Sequence, residues 1–188
     1  MELVLVSFIV VLLLLFCALF VFSLVIFAVH HKTGGALFVP TPRVMVEKIV
    51  DSIDFSSFRD IRELGSGDGR FMMAIERRHG GPVTGYEVNP IAYGLCLLKI
   101  GLWRLKSRVF YRSFWEEDLA GADCTFCYLF PDIMPRLGEK LDRELGKGAL
   151  VISANFPFPG WKPESVLACR GTIFNDPIYL YRMGAHRG

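Results

Sequence analysis

Between Leu3 and Val29 the chain has no charged residue, and Ser7 and Ser23 are its only polar side chains there. No Lys or Arg precedes that run and no small-residue A-x-A pattern closes it. Both are needed for a secretory signal peptide, which also has a shorter apolar core. The run has no polar face, as a surface helix packed on a soluble core would need. It has no glycine and no ionisable group either, so nothing in it lines a pore or relays protons. Cysteine is equally uninformative. Cys17 lies in the apolar run, Cys96 and Cys169 are isolated, and Cys124 and Cys127 sit in a strand-like segment where thiols three apart face opposite sides. No second pair and no histidine at zinc-ligand spacing accompanies them, so no metal is expected and all five are read as reduced core thiols. Basic residues form no cluster: 20 basic and 18 acidic side chains follow Lys32, which argues against a nucleic-acid partner. The four histidines (His30, His31, His79 and His186) fall in a flank, a helix end and the tail, and are read as surface residues.

What remains is an anchor and one domain. A bilayer core is crossed by about 20 apolar residues in a helix, so Leu3 to Val29 is long enough to span a lipid bilayer. His30, His31 and Lys32 come next, then Arg43 and Lys48. The positive-inside rule places the domain beyond this flank on the cytoplasmic face or its matrix equivalent. Residues 1–32 are thus read as a transmembrane anchor with its basic flank, and 33–188 as the working domain.

In that domain strands and helices alternate, the pattern of a mostly parallel α/β sheet flanked by helices. Apolar spacing predicts a helix over 43–53, a strand over 60–64, a helix over 70–78 and a strand over 82–87. Asn89-Pro90 caps a helix running to about Trp103. Short strands follow at 109–111, 124–130 and 149–154, with a helix over 133–145. Residues 167–181 read as a hairpin turned at Asn175-Asp176-Pro177.

The first strand breaks into Glu63-Leu64-Gly65-Ser66-Gly67-Asp68-Gly69. A turn there lies at the carboxyl end of a central strand, where open α/β sheets bind ligands. Counted from Gly65, the dinucleotide fingerprint G-x-G-x-x-G fails, because its last position is Arg70. The shorter G-x-G-x-G is met. Glu63, Asp68 and Glu87 crowd the turn with acid, which repels a pyrophosphate and attracts a ligand bearing a sulfonium and an ammonium. Glu87, ending the second strand, stands where an acid hydrogen-bonds ribose hydroxyls. These features point to S-adenosylmethionine. The plain alternative is a tight turn beside a capping acid.

Further blocks recur in order: Gly85-Tyr86-Glu87-Val88-Asn89-Pro90, Phe114-Trp115 with Asp118-Leu119, Phe130-Pro131, and Phe156-Pro157-Phe158-Pro159-Gly160-Trp161. With the glycine turn they resemble the class I, Rossmann-like methyltransferases that carry an N-terminal membrane segment. Among these are the mitochondrial lysine methyltransferases of the adenine nucleotide translocase and of the ATP synthase rotor-ring protein, with prokaryotic relatives. The resemblance implies that Gly65, Ser66, Gly67 and Gly69 line the methionine and ribose, with Glu63 and Asp68 near the amino-acid end. It implies that Glu87 and Asn89 sit at the ribose, that Ser113, Phe114 and Trp115 cover the adenine, and that Pro40 and Thr41 close over the cofactor. The family usually has Asp where Ser113 stands, which implies weaker adenine recognition or recognition by backbone groups.

Tyr128, Pro131, Phe156, Pro157, Phe158 and Trp161 follow the ends of two central strands. They read either as an aromatic wall for the acceptor or as simple cover for the sheet. Asp132 is the only acid at that place and the one candidate catalytic base. Enzymes acting on nucleobase amines carry an Asp/Asn-Pro-Pro-aromatic block where this chain has Leu129-Phe130-Pro131-Asp132, which disfavours a base as acceptor. The expected function is methyl transfer from S-adenosylmethionine to a lysine of a membrane-embedded protein. The rivals are a lipid headgroup or small membrane molecule as acceptor, and a non-catalytic adaptor.

Overall fold

A computed structural model describes residues 2–33, 39–169 and 176–187. The chain divides into two compact units, 1–37 and 38–188. The first holds helix α1 (Glu2–Thr33). Its stretch Val6–Leu24 has a mean hydropathy of 3.0, and by length and composition it is apolar enough to cross a membrane. Leucine, valine and phenylalanine side chains along this stretch are exposed.

The second unit opens with α2 (Arg43–Ser52), whose Met45, Val46, Ile49 and Val50 form the buried stripe that the 3.6-residue period dictates. Then come β1 (Ile61–Leu64), α3 (Arg70–His79), β2 (Val83–Glu87), α4 (Pro90–Trp103), β3 (Arg108–Tyr111) and β4 (Cys124–Cys127). The chain ends with α5 (Met134–Glu144), β5 (Leu150–Ala154), β6 (Ser165–Ala168) and β7 (Pro177–Arg182). The sheet order is β3-β2-β1-β4-β5-β7-β6. The first five strands are parallel, and β7 runs antiparallel between β5 and β6. Strand order reverses direction across the sheet between β1 and β4, which makes the carboxyl ends of these two strands the switch point.

Both faces of the sheet are covered. Ile61, Val83, Phe126 and Ile152 face α2 and α3, with Phe71 stacked on Phe126 at 3.8 Å between centroids. Leu64, Tyr86, Cys127 and Val151 face α5 through Leu137 and Leu141. Each large apolar side chain removed from water contributes about 1.5–3 kcal/mol. Cys124 and Cys127 fall in the two opposite clusters, as period-two geometry requires.

Two expectations need correction. The strand predicted over 124–130 stops at Cys127, which pairs with Leu64, the last residue of β1, on one side and with Ser153 of β5 on the other. Pro131, lacking an N–H, then opens a short turn over Pro131–Ile133 that delays α5 to Met134. Histidine is the second. His79 lies against the Phe55 ring, with Nε2 3.1 Å from the Val50 carbonyl oxygen. His186 is buried against Trp161, with Nε2 2.6 Å from Asp142. Aromatic neighbours distant in sequence cover both rings. Of the hairpin turn, Asn175 lies outside the described residues, while the β6–β7 ladder it would join is present.

Candidate functional site

After Leu64 the chain turns through Gly65–Gly69 into α3. The N–H groups of Gly65 and Ser66 donate to the Tyr86 carbonyl at 3.0 and 2.8 Å, so the turn is stitched to β2. Gly65, Gly67 and Gly69 all take positive φ, which side chains with a Cβ resist. At Gly69 space is also short, since a Cβ would come within 2.5 Å of the Cys96 sulfur on α4. Gly85 on β2 is held small by the same crowding. A Cβ there would meet Ser66 Cβ and Met72 Sδ at 2.7 Å.

Glu87 ties the turn to α4. Its Oε2 accepts from Gly67 N at 2.7 Å, and its Oε1 accepts from Val88 N and Asn89 N at 2.8 and 2.7 Å. A carboxylate has about four lone-pair sites, so capacity remains for a ligand hydroxyl. Asn89 caps α4, its Oδ1 accepting from Ile91 N and Ala92 N.

Glu63 is 2% exposed and its Oε2 has no hydrogen-bond partner. Ser66 Oγ, in the turn that follows β1, is likewise buried and without a partner among the described residues. Burial, aided by the nearby Asp68 and Glu87 charges, pushes the Glu63 carboxyl well above its ordinary value. Unpaired buried polar atoms are costly, and these two lie close in sequence, one near the end of β1 and one in the turn that follows, with Thr125 Oγ1 on β4 a third.

Asp68 departs from the expected acidic cluster. Its carboxylate accepts from Arg70 Nε and the Arg70 terminal nitrogen, both at 2.9 Å, and from Lys99 Nζ at 2.6 Å. Burial alone would raise its pKa, but these two cations pull it down to about 2. Asp68 is therefore neutralised within the protein, and Glu63 and Glu87 are the acids left for a ligand. Sequence reasoning missed Lys99, which lies 31 residues on, beyond α3 and β2 and well into α4. Arg70 has a second role, donating to the Thr41 carbonyl at 2.7 Å and holding the buried Thr41 at the glycine turn.

Ser113 N-caps the short turn Phe114–Glu116, its Oγ accepting from Trp115 N at 3.3 Å. Phe114 is buried against Trp115, and the Arg136 guanidinium stacks 4.3 Å from the Trp115 ring.

The sequence profile described as the ANTKMT methyltransferase domain matches residues 63–165. The chain belongs to the ANTKMT methyltransferase family. It is 36% identical over 123 residues to the adenine nucleotide translocase lysine N-methyltransferase of Mus musculus, covering 63% of this chain and 51% of that protein. It is 28% identical over 153 residues to a protein-lysine N-methyltransferase of Saccharolobus islandicus (strain REY15A), covering 80% of this chain and 95% of that one. Among solved structures it resembles an RNA methyltransferase from Salinibacter ruber in complex with S-adenosyl-L-homocysteine. The TM-score is 0.68 at 26% identity, covering 77% of this chain and 94% of that one. The chain thus spans about half the length of its mouse relative.

Beyond the carboxyl ends of β4 and β5 of this ANTKMT-family domain the expected residues separate. Tyr128 and Phe156 are half-buried, and Pro131, Asp132 and Pro157 lie nearer the surface. Asp132 lies in the turn that precedes α5. Ser153 Oγ donates to the Phe156 carbonyl at 2.6 Å, fixing that loop to the end of β5. Phe158 has another place. It is 2% exposed, packed on Trp161, Tyr181 and the backbone of Gly138, and offers no surface to an acceptor. Trp161 is wedged between Phe158, Tyr181 and His186. Asn155, which no motif singled out, follows β5 with φ of 72° and donates its N–H to the Pro177 carbonyl. Left-handed backbone at a non-glycine residue clusters at functional sites, and the one signal was an Asn directly before Phe-Pro at a strand end.

Proposed function

We propose that this chain is a membrane-tethered methyltransferase that uses S-adenosylmethionine to methylate a lysine side chain of a membrane protein. The observation that supports it most is the pair of buried, unpartnered atoms Glu63 Oε2, on β1, and Ser66 Oγ, in the glycine turn after it, within a methyltransferase-family domain. An ammonium and a sulfonium fit beside Glu63, and ribose hydroxyls fit the remaining capacity of Glu87. Bound there, S-adenosylmethionine supplies a methyl group on an activated sulfonium. Thr41, held by Arg70, shields the turn from water, and Ser113 with Phe114 and Trp115 forms the adenine side.

The protein's part in the reaction is alignment and exclusion of water. A lysine acceptor must arrive without its proton. A half-buried aromatic lining of Tyr128 and Phe156 favours the neutral amine, since burial lowers the pKa of an ammonium. The same rings attract the methylated cation. Asp132 is the acid we propose for taking up the proton. The lysine acceptor is supported by the names of the mouse and Saccharolobus relatives, and the membrane location by α1. The basic flank of α1 favours a domain on the cytoplasmic or matrix-equivalent face.

The test gives membranes holding the wild-type chain, Glu87→Gln or Asp132→Asn a methyl-labelled cofactor, and counts label in protein, lipid and RNA separately. Label on protein lysine that Glu87→Gln abolishes is the expected result. Label in lipid or RNA overturns the acceptor, and identical counts from wild type and Glu87→Gln in every fraction overturn the enzyme in favour of an adaptor. Asp132→Asn is expected to shift the rate's pH profile upward rather than weaken cofactor binding.

A further inference from the structure

An ordinary surface helix turns its charges outward and its leucines inward. Helix α4 does the reverse. Lys99 is its only charged residue, and that ammonium points to the Asp68 carboxylate at 2.6 Å. Only Ala92 and Cys96 are buried, while Ile91, Leu95, Leu98 and Leu102 stand exposed, one above the other at spacings of four, three and four. Leu102 is 71% exposed and Trp103, at the helix end, 55%. Contiguous apolar surface on that scale marks an interaction site.

The surroundings select the partner. Arg77 lies 4.3 Å from the Trp103 ring, and Arg104, Lys106 and Arg108 come next in the chain, all exposed. The acid in that neighbourhood, Glu76, is engaged by the N–H groups of Lys106 and Ser107. An apolar stripe ending in tryptophan and a basic rim matches the headgroup boundary of an anionic bilayer. A second copy fits poorly, because its rim carries the same sign and the first turn of α4 has no acid to complement it. If α1 is seated in a bilayer, residues 34–40, at most about 3.5 Å each, reach about 25 Å, so a lipid surface is within range.

We infer that the outward face of α4 docks on an anionic lipid surface, Trp103 and the leucine stripe entering the headgroup boundary while Arg77, Arg104, Lys106 and Arg108 meet lipid phosphates. Because the Asn89 cap of α4 stands two residues from Glu87, this docking sets the mouth of the cofactor site against the membrane plane. The inference rests on the proposed tether, and the experiment separates the two. The full chain is reconstituted into vesicles of phosphatidylcholine with or without phosphatidylglycerol, their acyl chains brominated near the headgroup. Flotation reads attachment, and the fluorescence lost on Trp103→Phe isolates the Trp103 signal from Trp115 and Trp161.

The expected result is quenching of Trp103 that is stronger with phosphatidylglycerol, and its loss in Leu98→Glu/Leu102→Glu, which still floats. Both leucines are exposed, so the variant keeps its circular dichroism. A chain that floats with Trp103 unquenched overturns the docking and leaves the tether standing. Equal quenching in the glutamate variant, or protection of Trp103 with cross-linking through a cysteine placed at position 98, overturns it in favour of another contact. If the wild type floats and the glutamate variant does not, docking is supported and α1 is not the tether. A wild-type chain that does not float overturns both.

Discussion

Glu63 is buried beside two other carboxylates, and the rise in its pKa gives a sign that can be measured. In the ligand-free chain it keeps its proton above the ordinary 4.5, where the unfolded chain has lost it. The native state then binds more protons, so stability falls as pH rises from about 4.5 through the raised value. Glu63→Gln is expected to remove that decline, read as a thermal melt that no longer weakens over this interval. A cationic cofactor must displace the same proton, so calorimetry in buffers of different ionisation heat should find proton release in wild type and none in Glu63→Gln. Gly85 makes the second residue-scale prediction. Its missing Cβ is the space occupied by Ser66, and overpacking of that kind costs about 1–3 kcal/mol. Gly85→Ala should lower the stability measured by chemical denaturation by that amount and weaken cofactor binding, because the atom displaced belongs to the glycine turn. The glycine pattern and Glu87 were legible in the sequence because a turn at a strand end forces local choices. The pairing of Asp68 with Lys99 was not, since it depends on how α4 lies across the turn.

Helix α5 carries a local ion pair, between residues four apart on one face. Lys140 is buried, its ammonium 2.6 Å from both Glu144 and the Glu117 carbonyl. Breaking such a pair from one side strands a charge and costs about 3–5 kcal/mol, whereas replacing the whole pair with apolar groups is often neutral. Glu144→Gln should therefore destabilise by about 3 kcal/mol in chemical denaturation, and Lys140→Met/Glu144→Leu by far less. Element positions were readable from periodicity and caps, most clearly for α4, where Asn89 accepts the two N–H bonds that Asn-Pro announced. The length of β4 was not, because it ends level with Leu64, where the neighbouring β1 ends, a point set from outside the segment.

At the scale of the whole molecule, both buried clusters among the described residues draw on the second unit, from Met45 to Met183. Deletion of residues 1–33 is expected to leave the thermal melt of the domain unchanged and its cofactor affinity within about a factor of two, since the two clusters are built from the second unit's own residues, while removing the membrane attachment proposed for α1. Sequence alone determined the apolar segment, the α/β class, the glycine turn and the family, because each is written in contiguous residues or a short period. Tertiary structure decided which acids remain free for a ligand, that Phe158 and His186 are core, and that the leucines of α4 face outward. Those outcomes come from contacts between segments far apart in the chain, where burial and pairing are settled by packing and no local pattern records them.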